Sequence, residues 1–343
     1  MNKIVIAMSG GVDSSAAAVI LKRNGYSPVG AMLNLLEKNN KNDIKDAKNI
    51  CEKLDIQFNL LDKTNEFREK VMQPFAKIYE NGATPNPCVI CNKEIKFKYI
   101  AEFADDNNIE KIATGHYVET EFSNGRYLLK RAKYDKKDQS YVLYTLSQEI
   151  LSRCVFPLGK FSKEEIRQIA EEAGLAVAAK KDSQDICFVP NGKYSDIIKE
   201  ITKKEYPHGN FVDENGNILG EHKGLINYTT GQRKGLGLAL SQPMYVKYKD
   251  TEKNEVVLCT NENLFSNSLD ATNINFIPFD KLDAPLRCKA KTRYNQKEQD
   301  ATVFQTDDNK IHIEFDEKQR AITKGQSVVL YDGEYLLGGG IIL

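Results

Sequence analysis

The sequence predicts an α/β fold, a parallel sheet with helices on both faces, followed by two small β-rich domains, the last barrel-like. Two observations carry this. Up to residue 203, short apolar strand-like runs alternate with amphipathic helical ones, the pattern of a parallel sheet covered on both sides. Beyond it, Gly, Asn and Asp turns separate short alternating segments, and helical periodicity stops. A chain of 343 residues exceeds the usual size of one compact domain, and the expected divisions are 1–203, 204–267 and 268–343.

Taken in order, Lys3–Met8 is a short buried-type strand and Asp13–Arg23 a helix ending at Asn24-Gly25. Pro28–Leu33 is a second strand, and the helix Asp43–Leu54 lines up Ile44, Ala47, Ile50, Cys51 and Leu54 on one face. Ile56–Leu61 supplies a third strand, Glu94–Ala104 a helix and Lys111–Thr114 a fourth strand, with further helices at Lys163–Ala173 and Tyr194–Ile201. In the β-rich part, hairpin turns are expected at 213–216 and 331–334, and Asp307-Asp-Asn309 separates Ala301–Gln305 from Ile311–Phe315. In Ile311-His-Ile-Glu-Phe315 the apolar residues alternate, as one buried sheet face requires.

Hydrophobic residues at 41% and charged residues at 28% describe a globular chain with apolar material for real cores. The apolar stretch Ile4–Met8 is too short for a signal peptide, and no run reaches the roughly 18 apolar residues of a membrane span. A cytoplasmic protein is expected. Lys plus Arg equals Asp plus Glu at 48 each, so a nucleic-acid surface has to be local, with acids segregated elsewhere. Seven cysteines in a reducing compartment do not form a disulfide framework, and only Cys88 and Cys91 are close in sequence.

Ser9-Gly-Gly-Val-Asp-Ser-Ser15 lies between a strand and a helix. Its two glycines let backbone approach a phosphate, and the helix start aims free N–H groups at it. Ser9, Ser14 and Ser15 add hydroxyls, while Asp13 is placed to cap the helix or hold magnesium. Without a Walker A lysine, the loop is not built to transfer a terminal phosphoryl group. It resembles the pyrophosphate loop (PP-loop) of ATP-pyrophosphatases, which cleave between the α and β phosphates and leave AMP on an acceptor. That resemblance implies ATP and Mg2+ but no particular acceptor.

Thr84-Pro-Asn-Pro-Cys-Val-Ile-Cys-Asn-Lys-Glu-Ile-Lys-Phe97 is the second informative stretch. A helix starting near Asn92 puts Cys91 at its N-terminus, where a thiol pKa falls, and Lys93 and Lys96 add positive charge. Alone, Cys-x-x-Cys fits a redox pair, half a metal site or chance. In Lys180-Lys-Asp-Ser-Gln-Asp-Ile-Cys-Phe188, the polar approach leaves Cys187 at a site rather than in a core, although a lone cysteine is more often simply buried.

In combination these stretches closely resemble the bacterial tRNA-specific 2-thiouridylases. The matching features are Ser9–Ser15, Thr84–Phe97, Gly115-His-Tyr117, Lys137-Asp-Gln-Ser-Tyr141, Asp182–Phe188, Gly231-Gln-Arg-Lys-Gly-Leu-Gly237 and Leu337-Gly-Gly-Gly340, in order over nearly the whole chain. The resemblance implies ATP-dependent adenylation of the C2 oxygen of a tRNA wobble uridine and its replacement by sulfur. It assigns Ala7, Met8, Ser9, Gly10, Gly11, Val12, Asp13, Ser14 and Ser15 to ATP, with Met32 and Gly115 at the adenosine. Cys187 would carry the persulfide and Cys91 would be the partner nucleophile or resolving thiol, the two ending as a disulfide or releasing sulfide. Asn86, Pro87, Cys88, His116, Lys137, Asp138, Gln139, Arg293, Tyr294 and Gln326 would touch tRNA. The implied partners are tRNAs for Lys, Glu and Gln and a persulfide donor, a cysteine desulfurase or relay protein. Where some members have Asn-Pro-Asp, this chain has Asn86-Pro87-Cys88, so three cysteines, Cys88, Cys91 and Cys187, offer an iron–sulfur cluster as the alternative to a persulfide.

Two basic features suit RNA: the run Lys130–Lys137, with Tyr134 for stacking, and Arg287, Lys289, Lys291 and Arg293 on one strand face. A solvated loop and a strand edge guarded by cations are the plain alternatives. Another PP-loop ligase acting on a small carboxylate or ureido substrate is the rival function, and an RNA-binding protein with a vestigial loop is a third.

Overall fold

The computed structural model describes residues 2–37, 41–180, 186–189 and 192–343. The chain opens with β1 (Asn2–Ala7), α1 (Val12–Arg23), β2 (Tyr26–Asn34), α2 (Lys41–Lys53) and β3 (Gln57–Asp62). Next come α3 (Thr64–Phe67), a π-helical turn Arg68–Met72, α4 (Gln73–Glu80), α5 (Pro87–Cys91), a second π-turn Asn92–Lys96 and α6 (Phe97–Asp106). β4 (Lys111–Ala113), the hairpin β5 (Val118–Ser123) and β6 (Arg126–Arg131), α7 (Gln148–Arg153), β7 (Cys154–Val155), α8 (Lys163–Glu172) and α9 (Tyr194–Thr202) complete the first unit.

β3-β2-β1-β4-β7 form one parallel sheet, as the alternating pattern predicts. One face is covered by α1, α2 and α8 through Ala16, Ile20, Ile50, Cys51 and Ile166. The other packs α6, through Phe97, Ile100 and Ala104, together with barrel residues Val329, Tyr331 and Leu336. β1, central and fully buried at Ile4, Val5 and Ile6, delivers the chain to the start of α1 at the carboxyl edge of the sheet, where open α/β sheets bind ligands.

The second sheet, β10-β11-β8-β9, uses β8 (Gly209–Val212), β9 (Ile218–His222), β10 (Tyr245–Asp250) and β11 (Glu255–Cys259). The third contains β12 (Phe265–Phe276), β13 (Leu286–Lys291), β14 (Gln299–Asp307), β15 (Lys310–Arg320), β16 (Ser327–Asp332) and β17 (Tyr335–Ile342). In the order β12-β15-β14-β13-β16-β17 these strands close into a barrel through β12–β17 pairing. The Leu337-Gly-Gly-Gly340 run sits at that closure. Gly338 has φ +144° with Asn275 backbone against it, and a Cβ on Gly340 would lie 2.9 Å from Thr272 O, so larger residues would push β12 and β17 apart. The predicted turns at 213–216, 307–309 and 331–334 all join antiparallel neighbours.

The hairpin β5–β6 has no counterpart in the sequence reading. It leaves the first unit and adds to β17 of the barrel, with Leu129 beside Leu336. Lys249 on β10 is another tie, buried over the Tyr79 ring of α4 at 5.3 Å with no hydrogen-bond partner for Nζ. Burial pushes its pKa down to about 8. Below that pH both folded and unfolded chains carry the charge and the folded state bears the desolvation cost. Between 8 and the ordinary lysine value the unfolded chain binds more protons, so stability is expected to rise with pH there, by roughly 2–3 kcal/mol. Lys249→Met should remove most of that slope and raise the melting temperature at pH 7. An unaltered pH–stability curve in the variant would refute it.

Candidate functional site

The first cluster is the loop between β1 and α1. Gly11 caps the helix without any side-chain hydrogen bond, so Asp13 is not the cap expected of it. Ser14 and Ser15 hydroxyls both donate to Gly11 O, at 3.1 and 2.7 Å, and the Ser9 and Ser14 hydroxyls meet at 3.0 Å. The loop is thereby fixed before any ligand arrives, while the N–H groups of the first helical turn stay available to an anion. Asp13 instead accepts from Tyr117 Oη at 2.5 Å and from Lys163 Nζ at 2.7 Å, both on Oδ1. Lys163, which begins α8 and is 8% exposed, carries only a helix-start signal in the sequence. Position i of a helix facing another helix's first turn leaves no sequence signature. The loop fits a polyphosphate, and the one carboxylate on its first turn has Oδ1 engaged by Tyr117 and Lys163.

Gly115 lies where a Cβ would come within 3.0 Å of Ser14 N and 3.1 Å of the Asp13 carbonyl carbon, so it lets the strand end approach the loop. Met8, Val12 and Met32 are buried in the core cluster, and Ala7 is partly buried. Lys180 donates to Gly10 O at 3.2 Å and to Asp43 and Asp46 at 2.7 and 2.8 Å, bracing the loop from behind.

The second cluster centres on α5. Asn86 is its N-cap, accepting from Cys88 N at 3.1 Å, and Pro87 opens the helix. The helix therefore starts five residues before Asn92. The Asn-Pro pair, a capping residue followed by proline at the first helical position, is the signal that marks it. Cys91 is thus a turn inside the helix, 6% exposed among Phe188, Val189 and Ile95. Desolvation pushes its thiol up to about 12, against the partial opposition of Lys96, so the expected lowering at a helix N-terminus does not occur. Cys88 and Cys187 keep accessible surface, yet dense surroundings raise both thiols too, with Lys96 again opposing. The three cysteines interact electrostatically with one another, and Lys96 with all of them. The π-turn 92–96 rotates the helix between Cys91 and Lys96, and such turns recur at functional sites. Among the described residues no group of three His, Cys, Asp or Glu side chains is placed to hold a metal ion, so the iron–sulfur alternative has no support here. Lys181–Asp185, within the expected Asp182–Phe188 feature, lies outside the described residues.

His116 hydrogen-bonds Thr114 Oγ1 at 2.8 Å and stacks on Phe97 at 5.7 Å. Burial first, then Lys96, depress its pKa to about 3, so it is neutral. The barrel reaches into this cluster: Gln326 Nε2 donates to Thr84 O and Pro85 O at 2.9 and 3.2 Å. Tyr294 Oη donates to Asp138 O at 3.2 Å and feels the Cys88 thiol electrostatically. Asp138 accepts from Ala132 N and Ser140 N, and Gln139 Oε1 accepts from Tyr117 N, so both shape the turn that presents Lys137. Sequence-distant residues expected at tRNA thus meet around the start of α5. Arg293 stands apart, donating to Thr230 O, Ala321 O and Thr323 Oγ1 at the junction of the second sheet and the barrel.

Against known proteins, the family model described as "tRNA methyl transferase HUP domain" matches residues 2–191. A "tRNA methyl transferase PRC-barrel domain" model matches 195–260 and an "Aminomethyltransferase beta-barrel domain" model 266–342. A tRNA-specific 2-thiouridylase of Clostridium botulinum is 48% identical over 99% of this chain and 98% of its own length. One of Clostridium acetobutylicum is 45% identical over 99% of each.

Proposed function

Because the chain belongs to the family of tRNA-specific 2-thiouridylases, we propose that it converts the wobble uridine of tRNA to 2-thiouridine, with ATP activating the C2 oxygen and a cysteine persulfide supplying sulfur. The relatives' full-length identity favours sulfur over the methyl group in the family description, and disfavours a ligase for small carboxylates. The observation that carries the mechanism is the pairing of a preformed anion loop at Ser9–Ser15 with an electrostatically linked cysteine set beside the cation Lys96.

In this reading the Ser9–Ser15 loop holds the departing pyrophosphate, and magnesium comes with the ATP phosphates. C2 oxygen displaces pyrophosphate from the α-phosphorus, giving a uridine adenylate. The terminal sulfur of a Cys187 persulfide then attacks C2 and AMP leaves with the oxygen. Cys91 thiolate attacks the Cys187 sulfur, breaking the S–S bond, so 2-thiouridine departs and a Cys91–Cys187 disulfide remains for external thiols to reduce. Lys96 opposes the burial that keeps Cys91 protonated. The sulfur enters from a cysteine desulfurase or relay protein, and tRNAs for Lys, Glu and Gln are the expected substrates. Among the described residues no helix is long and apolar enough to cross a membrane, and the working site of such an enzyme is the cytoplasm.

The test is pyrophosphate release measured with and without unmodified tRNA, followed by nucleoside analysis of the tRNA. Release that ignores tRNA, or tRNA that gains no 2-thiouridine with a persulfide donor present, would overturn the assignment.

A further inference from the structure

Acids of the barrel region and of β5 occupy part of the basic features expected to hold RNA. Arg287 pairs with Asp316, Lys289 with Asp300, Lys130 with Glu121 and Glu334, and Arg131 with Glu298. Unneutralised charge stands at Lys133 and Lys136, exposed and without a carboxylate at ion-pair distance among the described residues, and also in the Gly231–Gly237 loop, between β9 and β10. Arg233 and Lys234 are exposed there, and neither has a carboxylate at ion-pair distance among the described residues.

The loop is held in shape without a ligand. Gln232 closes it from both sides, its Oε1 accepting from Thr229 N and its Nε2 donating to Lys234 O, each at 3.0 Å. Gly231 N donates to Val246 O at 2.7 Å and Val246 N to Gln232 O at 2.9 Å, pinning its base to β10. Two barrel guanidinium groups stand beside it: a Cβ on Gly231 would lie 3.5 Å from Arg320 Nη1 and 3.7 Å from Arg293 Nη2. Those two arginines are satisfied by neutral acceptors, Arg320 by Asn261 Oδ1 and Arg293 by Thr230 O, Ala321 O and Thr323 Oγ1. Four cations without paired acids, two exposed at the tip and two hydrogen-bonded at the base, suit a polyanion.

We propose that the Gly231–Gly237 loop grips the sugar–phosphate backbone of the RNA substrate through Arg233 and Lys234, with Arg293 and Arg320 as its positive floor. The proposal rests on the tRNA reading above and adds a surface to it. Phosphate contacts of this kind add affinity and fix register without reading sequence.

The experiment compares the full-length protein with an Arg233→Gln/Lys234→Gln variant, titrating unmodified tRNA over a range of salt concentrations. Losing two phosphate contacts should lower the log–log salt slope by about 1.4–1.8 and weaken binding roughly tenfold at low salt. ATP affinity and melting temperature should stay at wild-type values, since both side chains are exposed and belong to no core cluster. Arg287→Gln/Lys289→Gln, which removes cations already paired with acids, should shift the slope by less than half as much. An unchanged slope in the loop variant, or an equal change in the strand variant, would overturn the proposal. So would intact tRNA binding with lost sulfur transfer from a donor protein, because the loop would then dock an acidic protein face. Wild-type protein that binds no tRNA would instead overturn the functional reading itself.

Discussion

Serine in place of Cys91 or Cys187 is expected to lower 2-thiouridine formation by about a thousandfold or more, while tRNA-dependent pyrophosphate release continues. Adenylation needs the Ser9–Ser15 loop and the uridine, and neither thiol belongs to that loop. Oxygen cannot take the part of sulfur in the exchange, so the adenylate would form and hydrolyse unproductively. Cys88→Ser should be much milder. Cys88 is exposed at the helix start, where its backbone N–H rather than its thiol is held by Asn86. Parallel assays of pyrophosphate and thiolated nucleoside separate these outcomes. Equal loss in all three variants, together with stoichiometric iron in anaerobically purified protein and activity that tracks it, would replace the persulfide route.

Asp13→Ala should abolish pyrophosphate release and also destabilise the first unit. Removing the carboxylate takes a close ion-pair partner from the buried Lys163 ammonium, and part of the cost of a broken ion pair is expected, lessened by the partial exposure of Asp13. The stability effect complicates the simple reading of a dead variant, so a second replacement is needed. Asp13→Asn with Lys163→Met removes both charges and should recover much of the melting temperature but none of the activity. Normal pyrophosphate release in either variant would sink the assignment of this loop to ATP.

How far the sequence reaches follows from what each feature depends on. The parallel sheet was legible because strand and helix periodicities are local: β2, α2 and α8 fall within one or two residues of their expected places, while the helix expected at Glu94–Ala104 starts at Pro87 and runs on through α6. The phosphate loop was legible because Ser9–Ser15, its strand and its helix are contiguous, so the chain itself assembles the anion site. The seven cysteines could be sorted only by resemblance, since spacing alone left Cys-x-x-Cys ambiguous. Tertiary structure decided what contiguous sequence cannot carry. Whether a thiol is raised or lowered depends on the desolvation supplied by distant Phe188 and Val189, and that outweighs the helix terminus at Cys91. Whether a cation is free depends on which acid lies across the sheet, and so Asp316 and Asp300 neutralise Arg287 and Lys289, two cations of a stripe that reads as basic. The partner of Asp13 lies 150 residues away on α8, and the hairpin β5–β6 finds its edge on β17 at the far end of the chain. Local patterns determine elements and contiguous motifs, because backbone geometry acts over a few residues. Charge state and partnership are set by desolvation and Coulomb interaction, which act through space and are fixed only when the chain has folded.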